Sequence, residues 1–420
     1  MTRLHCIMAS AALAIVTACA TTRETGSPSA KAGPEPVIRV LVLSTGAAAT
    51  IATTGAYRAV GEDGSILLAS NRGGTVAIER SGRTLQIRTG GGEQNAETGG
   101  AITIEPTGDA ALSAGGVWYP GRIRVALNAN GNLDLVNLVP LEVYLEGVVP
   151  HEIGEPGADG YAAVQAQAVA ARTYALSRMT LNRDEPFDVE AGVADQVYRG
   201  REKQSRLASA AVRDTRGVAL RFNGRLCDTY YSATCGGHTS DIRQVWPDRP
   251  SAPYLLGCLD RADGEGASFC AAARNFRWRY SFTGLALGRT IRQTIPSVLG
   301  VPASSVGDLV DVRVMGRSAS GRVSRLEIET SHGTFTVEGD KIRRVVMLDV
   351  ANGRILPSTL FDLEKHMTEG RVGWVSFVGG GNGHGVGMCQ NGAIGMAKRG
   401  FSYAMILEHY YPGAEPRAGY

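Results

Sequence analysis

The stretch GVVPHEIGEP, Gly147 to Pro156, places an acidic residue, Glu152, just after two valines and a proline. An apolar setting disfavours the ionised form of a carboxyl group and so raises its pKa. A carboxyl group that stays protonated near neutral pH can act as a general acid. Glu152 is therefore a candidate proton donor. The local sequence is equally compatible with a solvated acid in a loop, and it leaves both interpretations open.

A second group of reactive side chains lies in CDTYYSATCGGHTSDIRQVW, which begins at Cys227. Cys235 and His238 have a spacing that suits two zinc ligands, and Cys258 and Cys270 are candidates to complete a set of four. A strong zinc signature repeats a close ligand pair, which these last two cysteines do not form. Beyond Cys19 the chain has five cysteines, so in an oxidising compartment we expect one or two disulfides and a leftover thiol rather than a metal site.

The segment GGGNGHGVGMCQNGA, Gly379 to Ala393, is unusually rich in glycine. It has neither the Gly-Lys-Ser/Thr ending of a phosphate loop nor the glycine spacing of a dinucleotide site. His384 near Cys389 suggests a Cys-His pair with a thiol nucleophile, but the sequence shows no motif with an Asn or Asp that would orient the histidine. The sequence GRSAS, from Gly316, approaches the Gly-x-Ser-x-Gly nucleophile elbow of serine hydrolases, but it ends in Ser320 where that motif has glycine. A glycine-walled surface remains, whose polar side chains suit a flat ligand such as a sugar.

These residues must be positioned by strands and helices, and the sequence pattern of those elements predicts an α+β fold. From residue 37 onward, short β-branched runs are broken by Gly and Asp-Gly, and an Asn-Gly pair within RIRVALNANGNLDLVNLVP predicts a hairpin. Residues 37–136 therefore read as a β-rich region. The alanine-rich stretch Asp159 to Met179 predicts a buried central helix capped by Asp159, with further strands around it. GAIGMAKRGFSYAMILEHYYPG predicts one or two helices near the end of the chain.

The N-terminus indicates export. Arg3 precedes an apolar run, so residues 1–18 read as a secretory signal. VTAC, Val16 to Cys19, resembles the lipobox of bacterial lipoproteins, which would make Cys19 the lipidated N-terminal residue and 19–36 a flexible tether. A plain signal peptide cleaved nearby is the alternative. No later run is long and apolar enough to span a bilayer.

Charge argues against nucleic acid as a partner. The 420 residues carry a formal net charge of only +3. No basic stripe with interleaved aromatic residues is present.

Five ordered motifs resemble the SpoIID/LytB family, named for the stage II sporulation protein D and the amidase enhancer of bacterial cell-wall turnover. The resemblance extends over roughly residues 37–413. The catalytic region that it implies is 137–413, and its core motifs lie in 137–260 and 371–413. Residues 414–420 form a tail. The motifs are VPLEVYLEGVVPHEIG, AVQAQAVAARTYAL, DQVYRG, YYSATCGGHTSDIRQVW with PYL, and GHGVGMCQNGA with ILEHYYPG.

The resemblance implies a lytic transglycosylase with a glycan-binding cleft, acting on peptidoglycan strands that an amidase has stripped of stem peptides. The family's catalytic glutamate follows Val-Val-Pro, which places it at Glu152; the usual Met-Pro after it is Ile153-Gly154 here. One carboxyl group would suffice to form 1,6-anhydro-N-acetylmuramic acid, without a cofactor. Residues expected to hold the glycan or stabilise charge are Gln167, Arg172, Tyr231, His238, His384 and Gln390.

Two further expectations accompany the resemblance. Some members hold zinc near the middle motif, but that ligand set has no residue-by-residue match in this cysteine pattern. A binding protein that recruits or stimulates a cell-wall amidase is the alternative to an enzyme, and the lipid anchor would hold either one in the envelope on the cell-wall side. The family name does not by itself imply sporulation.

Overall fold

Strands dominate the first part of the structure, a computed structural model that describes residues 33–420 except 93, 204 and 263–265. The predicted signal, Cys19 and most of the tether lie outside the described residues. The strands up to residue 140 are β1 Val37–Thr45, β2 Ala48–Thr53, β3 Tyr57–Gly61, β4 Ile66–Ser70, β5 Gly74–Ser81, β6 Thr84–Thr89, β7 Asn95–Thr98, β8 Ile102–Pro106, β9 Leu112–Ala114, β10 Val117–Tyr119, β11 Arg122–Leu127 and β12 Leu133–Pro140.

The middle of the chain adds helices and short strands. They are α1 Leu141–Glu152, α2 Tyr161–Leu181, β13 Val189–Glu190, α3 Arg206–Asp214, β14 Val218–Phe222, β15 Arg225–Leu226, β16 Tyr231–Ser232 and α4 Ile242–Val245.

The remaining elements continue to the end of the chain. They are β17 Trp278–Thr283, α5 Gly284–Leu299, β18 Leu309–Arg317, β19 Val323–Thr330, β20 Gly333–Glu338, α6 Lys341–Val345, β21 Met347–Asp349, β22 Arg354–Ile355, β23 Phe361–Thr368, β24 Arg371–Gly379, β25 Met388–Cys389, α7 Gln390–Ala397, α8 Tyr403–Tyr410 and β26 Glu415–Ala418. The mixed content confirms the α+β class.

Two larger sheets contain the twelve strands before α1, and the first of them also includes β13. One has the order β13-β1-β12-β11-β8-β3-β4, and the other has the order β10-β9-β2-β5-β6-β7. The predicted Asn-Gly hairpin is confirmed, since β11 pairs with β12 from Arg122 opposite Leu138 to Leu127 opposite Leu133. Alternate residues of these strands point into one core, as the period of two along a strand requires.

Helix α2 crosses this core as the predicted central helix. Fourteen of its 21 residues are buried, and six of these are alanines that allow neighbouring elements to approach closely. The predicted Asp159 cap is wrong: Asp159 lies in a short 3-10 turn, Gly160 is the N-cap residue, and no side chain caps the helix. The C-terminal prediction is confirmed, since α7 and α8 are two separate helices.

A second core lies between residues 278 and 377. It contains apolar side chains from β17, α5, β18, β19, β20, α6, β23 and β24. The sheets here are β17-β24-β23 and β18-β19-β20. Across the described part of the chain, no helix combines the length and hydropathy that a membrane span requires.

Candidate functional site

Glu152 is the last residue of α1, and the chain turns away two residues later. Gly154 has φ +70°, the left-handed conformation that commonly ends a helix. The half-buried carboxyl group of Glu152 lines a cleft of about 780 Å³, here called the Glu152 cleft. Helix α1 thus carries the acid to the cleft at its C-terminal end, where the helix dipole opposes a negative charge.

Two donors hold the carboxyl group. The backbone N–H of Val197 donates to Oε1 at 2.8 Å, and the side-chain amide of Gln390 donates to Oε2 at 3.5 Å. Burial raises the pKa of Glu152, and these two hydrogen bonds offset only part of that rise. The geometry therefore gives Glu152 the property that its sequence context suggested, a carboxyl group that keeps its proton above the usual pH range.

A close backbone approach brings Val197 to this position. A Cβ atom at Gly147 of α1 would lie 2.6 Å from the carbonyl oxygen of Gly200 and 2.7 Å from the Tyr198 ring. Glycine at 147 therefore lets the loop 195–200 pack directly on α1. Sequence reasoning missed Val197 as a contributor because it acts through its backbone, although the surrounding DQVYRG motif marked the loop.

Gln390 and Gln167 meet behind the acid. Gln390 is the first residue of α7 and is 6% exposed, and its Nε2 also donates to Oε1 of Gln167 at 3.3 Å. Gln167 lies fully buried in α2, and its Nε2 has no hydrogen-bond partner among the described residues. Gln390 lines the Glu152 cleft, whereas Gln167 supports it from behind.

Tyr231 lines the same cleft and belongs to a buried amide network. Its hydroxyl accepts a hydrogen bond from Gln196 Nε2 at 2.9 Å, and Gln196 Oε1 accepts one from the Tyr144 hydroxyl at 3.0 Å. Burial and the nearby Glu152 carboxylate raise the pKa of Tyr231. The phenol stays protonated and available as a hydrogen-bond donor beside the acid.

His384 lies in the cleft as a neutral ring of fixed tautomer. The Val386 N–H donates to Nδ1 at 3.0 Å, so Nε2 carries the proton and donates to the Tyr231 carbonyl at 3.0 Å. Burial lowers the pKa of His384 to about 4. The ring packs against Trp246, with 4.9 Å between centroids. Since both nitrogens are engaged in hydrogen bonds, His384 shapes the cleft and is not placed to transfer a proton to or from a ligand.

A parallel pair of two-residue strands joins the two motifs that supply Tyr231 and His384. Tyr231 of β16 lies opposite Met388 of β25, and Ser232 lies opposite Cys389. Gly387 has φ +69°, and a Cβ atom there would lie 2.0 Å from the Tyr230 carbonyl oxygen. The glycine density of the second motif thus serves close backbone contact with the first.

The structure places two expected glycan-binding residues away from the cleft. Arg172 is fully buried and forms a bidentate ion pair with Glu142, with both N–O distances 2.7 Å. His238 donates through Nδ1 to the Thr239 carbonyl, 2.6 Å away. Neither residue lines the Glu152 cleft. Arg172 instead links α1 to α2.

Charged side chains from two further segments complete the lining of the cleft. Asp340, Arg343 and Arg344 contribute from α6 and the residue before it, and Arg249 contributes from the segment after α4. Arg343 pairs with Asp340 at 3.0 Å. Arg249 and Arg344 are exposed and form no ion pair with any residue that the structure describes. This part of the cleft lining therefore presents free positive charge.

The cysteines are arranged differently from the expectation. All five described cysteines are free, so the expected disulfides are not formed. Cys235, Cys270, Cys389 and Asp260 converge with all four ligand atoms within 4.8 Å of one another, here called the thiol cluster. Of the four zinc candidates in the sequence, His238 and Cys258 lie outside it. Asp260 and Cys389 take their places because the fold, not the sequence spacing, brings them together.

Comparison with known proteins finds two family matches, one after the other along the chain. Residues 129–222 match the family described as Stage II sporulation protein. Residues 244–387 match a family described as Domain of unknown function (DUF8618). The second match contains the whole second core.

Three relatives extend the likeness over most of the chain. An uncharacterized protein of Brachyspira hyodysenteriae is 32% identical over 71% of this chain and 72% of its own length. The amidase enhancer of Bacillus subtilis is 28% identical over 64% of this chain, which spans only 39% of the enhancer. Stage II sporulation protein D of Bacillus subtilis is 25% identical over 67% of this chain and 75% of its own length.

Proposed function

Because the chain belongs to the SpoIID/LytB family, we propose that it is a peptidoglycan lytic transglycosylase that prefers glycan strands lacking stem peptides. The observation that carries the proposal is the carboxyl group of Glu152. It lies in a cleft large enough for sugar rings, its pKa is raised by burial, and a protonated tyrosine stands beside it.

Glu152 acts first as an acid. Its proton goes to the glycosidic oxygen between N-acetylmuramic acid and the next sugar, and the bond from that oxygen to C1 breaks. The carboxylate that remains is held by the Val197 N–H and the Gln390 amide. Hydrogen bonds to a carboxylate are stronger than those to the neutral acid, so both donors favour the state formed during bond cleavage.

The same carboxylate then acts as a base. It removes the proton from the 6-hydroxyl of the muramic acid ring, and O6 closes on C1 to give the 1,6-anhydro sugar. The proton gained restores the starting acid. No water enters the reaction, and no second carboxylate is needed as a nucleophile or base, in contrast to ordinary glycosidases.

The other acids of the cleft support this single-carboxyl scheme. Asp195 accepts hydrogen bonds from the Tyr174 hydroxyl at 2.6 Å and from the Glu190 N–H at 2.8 Å. Asp340 is paired with Arg343. Asp195 and Asp340 therefore have structural partners, and Asp248, the remaining acid of the cleft lining, is exposed, whereas burial raises the pKa of Glu152.

The proposed preference for glycan strands without stem peptides is supported by the charges in the cleft. Removal of the stem peptide leaves a free lactyl carboxylate on each muramic acid. Arg249 and Arg344 line the cleft without an ion-pair partner among the described residues, and a guanidinium group recognises a carboxylate well. The aromatic rings of Tyr230 and Trp246 add apolar surface against which sugar rings can stack.

The test compares wild type with Glu152→Gln on amidase-treated glycan strands. We expect 1,6-anhydro-N-acetylmuramic acid ends from wild type by mass spectrometry and a loss of at least about 100-fold in the variant. Glu155→Gln, an exposed acid in the following loop, is the matched control and should cleave normally. Binding of strands by both proteins without cleavage by either would overturn the transglycosylase proposal.

The similarity to an amidase enhancer favours one second candidate, a non-catalytic peptidoglycan-binding protein that stimulates a cell-wall N-acetylmuramoyl-L-alanine amidase. In that case Glu152→Gln would keep both glycan binding and amidase stimulation. An amidase assay with and without the two proteins separates this candidate from the first.

Both candidates place the protein in the cell envelope. We propose that the signal is cleaved before Cys19 and that lipid on this cysteine anchors the chain to the membrane on the cell-wall side. Mass spectrometry of the mature N-terminus should find acylated Cys19. An unmodified N-terminus further along the chain would contradict the anchor.

A further inference from the structure

The thiol cluster consists of donors that are almost completely shielded from solvent. Cys235, Cys389 and Asp260 are 0% exposed, and Cys270 is 1% exposed. The Sγ atoms of Cys235 and Cys270 lie 3.7 Å apart, and all four ligand atoms lie within 4.8 Å of one another. Three soft sulfur ligands and one carboxylate thus meet at a single buried point.

The fold brings the four residues from three separate segments. Cys235 follows β16, Cys389 ends β25 and caps α7, and Asp260 and Cys270 flank the loop beside α7. A Cβ atom at Gly392 would lie 2.2 Å from Asp260 Oδ1, and one at Gly395 would lie 2.1 Å from the Phe269 carbonyl oxygen. Two glycines on one side of α7 therefore admit the loop that carries Asp260 and Cys270.

The spacing of the sulfurs fits a shared metal ion. Sulfurs bonded about 2.3 Å from a tetrahedral zinc ion lie about 3.8 Å apart, whereas a disulfide bond is about 2.05 Å long. We propose that Cys235, Cys270, Cys389 and Asp260 bind one zinc ion in a tetrahedral structural site behind the Glu152 cleft. Four protein ligands leave no open position, which is the pattern of a structural rather than a catalytic zinc site.

The surroundings of the cluster provide the hydrogen bonds that metal-bound thiolates and carboxylates require. Sγ of Cys389 accepts from the N–H groups of Cys235 at 3.2 Å and Gly392 at 3.3 Å, and Sγ of Cys235 accepts from the Gly237 N–H at 3.4 Å. The Asp260 carboxyl group accepts from the Tyr410 hydroxyl at 2.5 Å and from the Cys270 N–H at 3.0 Å.

A buried cation next to the cluster supplies further charge compensation. Arg322 is 2% exposed and donates to the Cys235 carbonyl at 2.7 Å. Its Nε and Nη1 have no hydrogen-bond partner in the described part of the chain. A buried guanidinium without an ion-pair partner is costly unless a negative charge lies close by. Three thiolates and a carboxylate around one divalent ion provide that net negative charge.

The zinc site positions the cleft without taking part in its chemistry. Cys389 directly precedes Gln390, and Cys235 lies four residues after Tyr231. A metal that joins these two segments fixes the Gln390 amide against Glu152 and holds the strand pair β16-β25 together. The proposal does not depend on the proposed function, because the ligands and their contacts are separate from the reacting carboxyl group.

The experiment measures metal content of the full chain purified without chelators. We expect about one zinc ion per chain for wild type by elemental mass spectrometry. Cys270→Ser should lose most of the zinc. Cys227→Ser is the matched control, since Cys227 is an equally buried thiol outside the cluster, and it should keep the zinc.

A second measurement on wild type avoids reliance on a variant that fails to fold. After zinc is removed with a chelator, titration with Co²⁺ should give thiolate-to-cobalt charge-transfer bands and the intense visible bands of a tetrahedral site. Wild-type protein without bound metal, in which peptide mapping finds a Cys235–Cys270 or Cys235–Cys389 disulfide, would overturn the proposal. Weak octahedral cobalt bands would overturn it as well.

Discussion

At the scale of single residues, the Glu152 carboxyl group is controlled by opposing effects. Burial and the C-terminal end of α1 disfavour its ionised form, while the Val197 N–H and the Gln390 amide favour it. Because burial is the largest of these contributions, the carboxyl group holds its proton to higher pH than an exposed glutamic acid does. The proposed reaction, in which Glu152 first gives and then takes the same proton, would benefit from this balance.

The first prediction concerns the pH dependence of cleavage. Activity should fall as pH rises through the raised pKa of Glu152, because the acid step needs the protonated form. His384, whose pKa is lowered to about 4, is neutral at higher pH and therefore adds no second inflection to the pH–rate profile. Gln390→Leu removes a donor to the carboxylate, so the alkaline limb should move up by less than about one pH unit. Rates of anhydro-sugar formation across pH measure both effects, and an unchanged limb in Gln390→Leu would contradict the assigned contact.

The second prediction concerns stability. A carboxyl group with a raised pKa in the folded state binds its proton more tightly there than in the unfolded chain. Its contribution to stability is therefore largest below the ordinary glutamate pKa and is lost as pH rises through the folded-state value. Glu152→Gln lacks this loss and should unfold at a higher temperature than wild type at about pH 8, but not at about pH 4. A Glu155→Gln control should show no such difference, and equal melting temperatures of wild type and Glu152→Gln at both pH values would contradict the raised pKa.

At the scale of elements, the acid is positioned by contacts that α1 makes along its length. Its first turn holds Glu142, which pairs with Arg172 of α2, and its centre holds Gly147, which admits the loop 195–200. The helix is thus fixed against α2 at one end and against the Val197 loop near the other. Both contacts determine where the last residue, Glu152, points.

The third prediction tests the loop contact. Gly147→Ala places a methyl group against the Gly200 carbonyl and the Tyr198 ring, so the Val197 N–H should move away from Glu152. We expect a destabilisation of about 1–3 kcal/mol from overpacking and a lower turnover number. Gly192→Ala in the neighbouring segment meets no atom within 4 Å and should be nearly neutral. Thermal unfolding and cleavage rates measure both variants, and full activity of Gly147→Ala would contradict the proposed positioning.

The fourth prediction tests the ion pair between the helices. Arg172→Met leaves the buried Glu142 carboxylate without its bidentate partner, which should cost about 3–5 kcal/mol in denaturant unfolding. Replacing Glu142 by Gln in the same chain should restore part of that stability. If Arg172→Met instead retains stability and loses only glycan affinity, Arg172 has the binding role expected from the family pattern rather than the structural one.

Elements with a strong local signal were predictable from sequence. The alanine-rich run gives α2, and the Asn-Gly pair gives the β11-β12 hairpin, because propensity and turn geometry act within a few residues. The Asp159 cap failed because the preceding 3-10 turn takes up that residue. The Val197 contact and the Asp260 member of the thiol cluster depend on which segments meet in space, and periodicity carries no information about that.

At the scale of the whole molecule, the Glu152 cleft has contributions from both cores. Glu152, Tyr231 and Gln390 belong to elements that pack on the first core, whereas Arg343 and Arg344 lie on α6, which packs on the second. The region that matches the domain of unknown function therefore supplies part of the cleft wall. Its residues are candidates for adjusting substrate choice without changing the acid.

The fifth prediction assigns substrate affinity to that wall. Arg344→Ala should raise KM for peptide-stripped strands by about two- to five-fold, as expected for an exposed charge contact, and leave kcat unchanged. Added salt should reduce the difference, since it screens exposed charges. Arg325→Ala, an exposed arginine of β19 outside the cleft, is the control. An equal KM for Arg344→Ala and wild type at low salt would contradict the role of this wall.

The pairing of distant segments also has a consequence for how the protein matures. Gln390 reaches the Glu152 carboxyl group across 238 positions of sequence, and β26 pairs with β14 only after nearly all of the chain is present. Contacts of such long range form late and slow folding. Under the proposed export, a chain still emerging from the export machinery would have its acid but not the partner that completes the cleft. The proposed cleavage of the wall would then begin only after the last helices have folded, so the topology itself would delay that activity until those helices are in place.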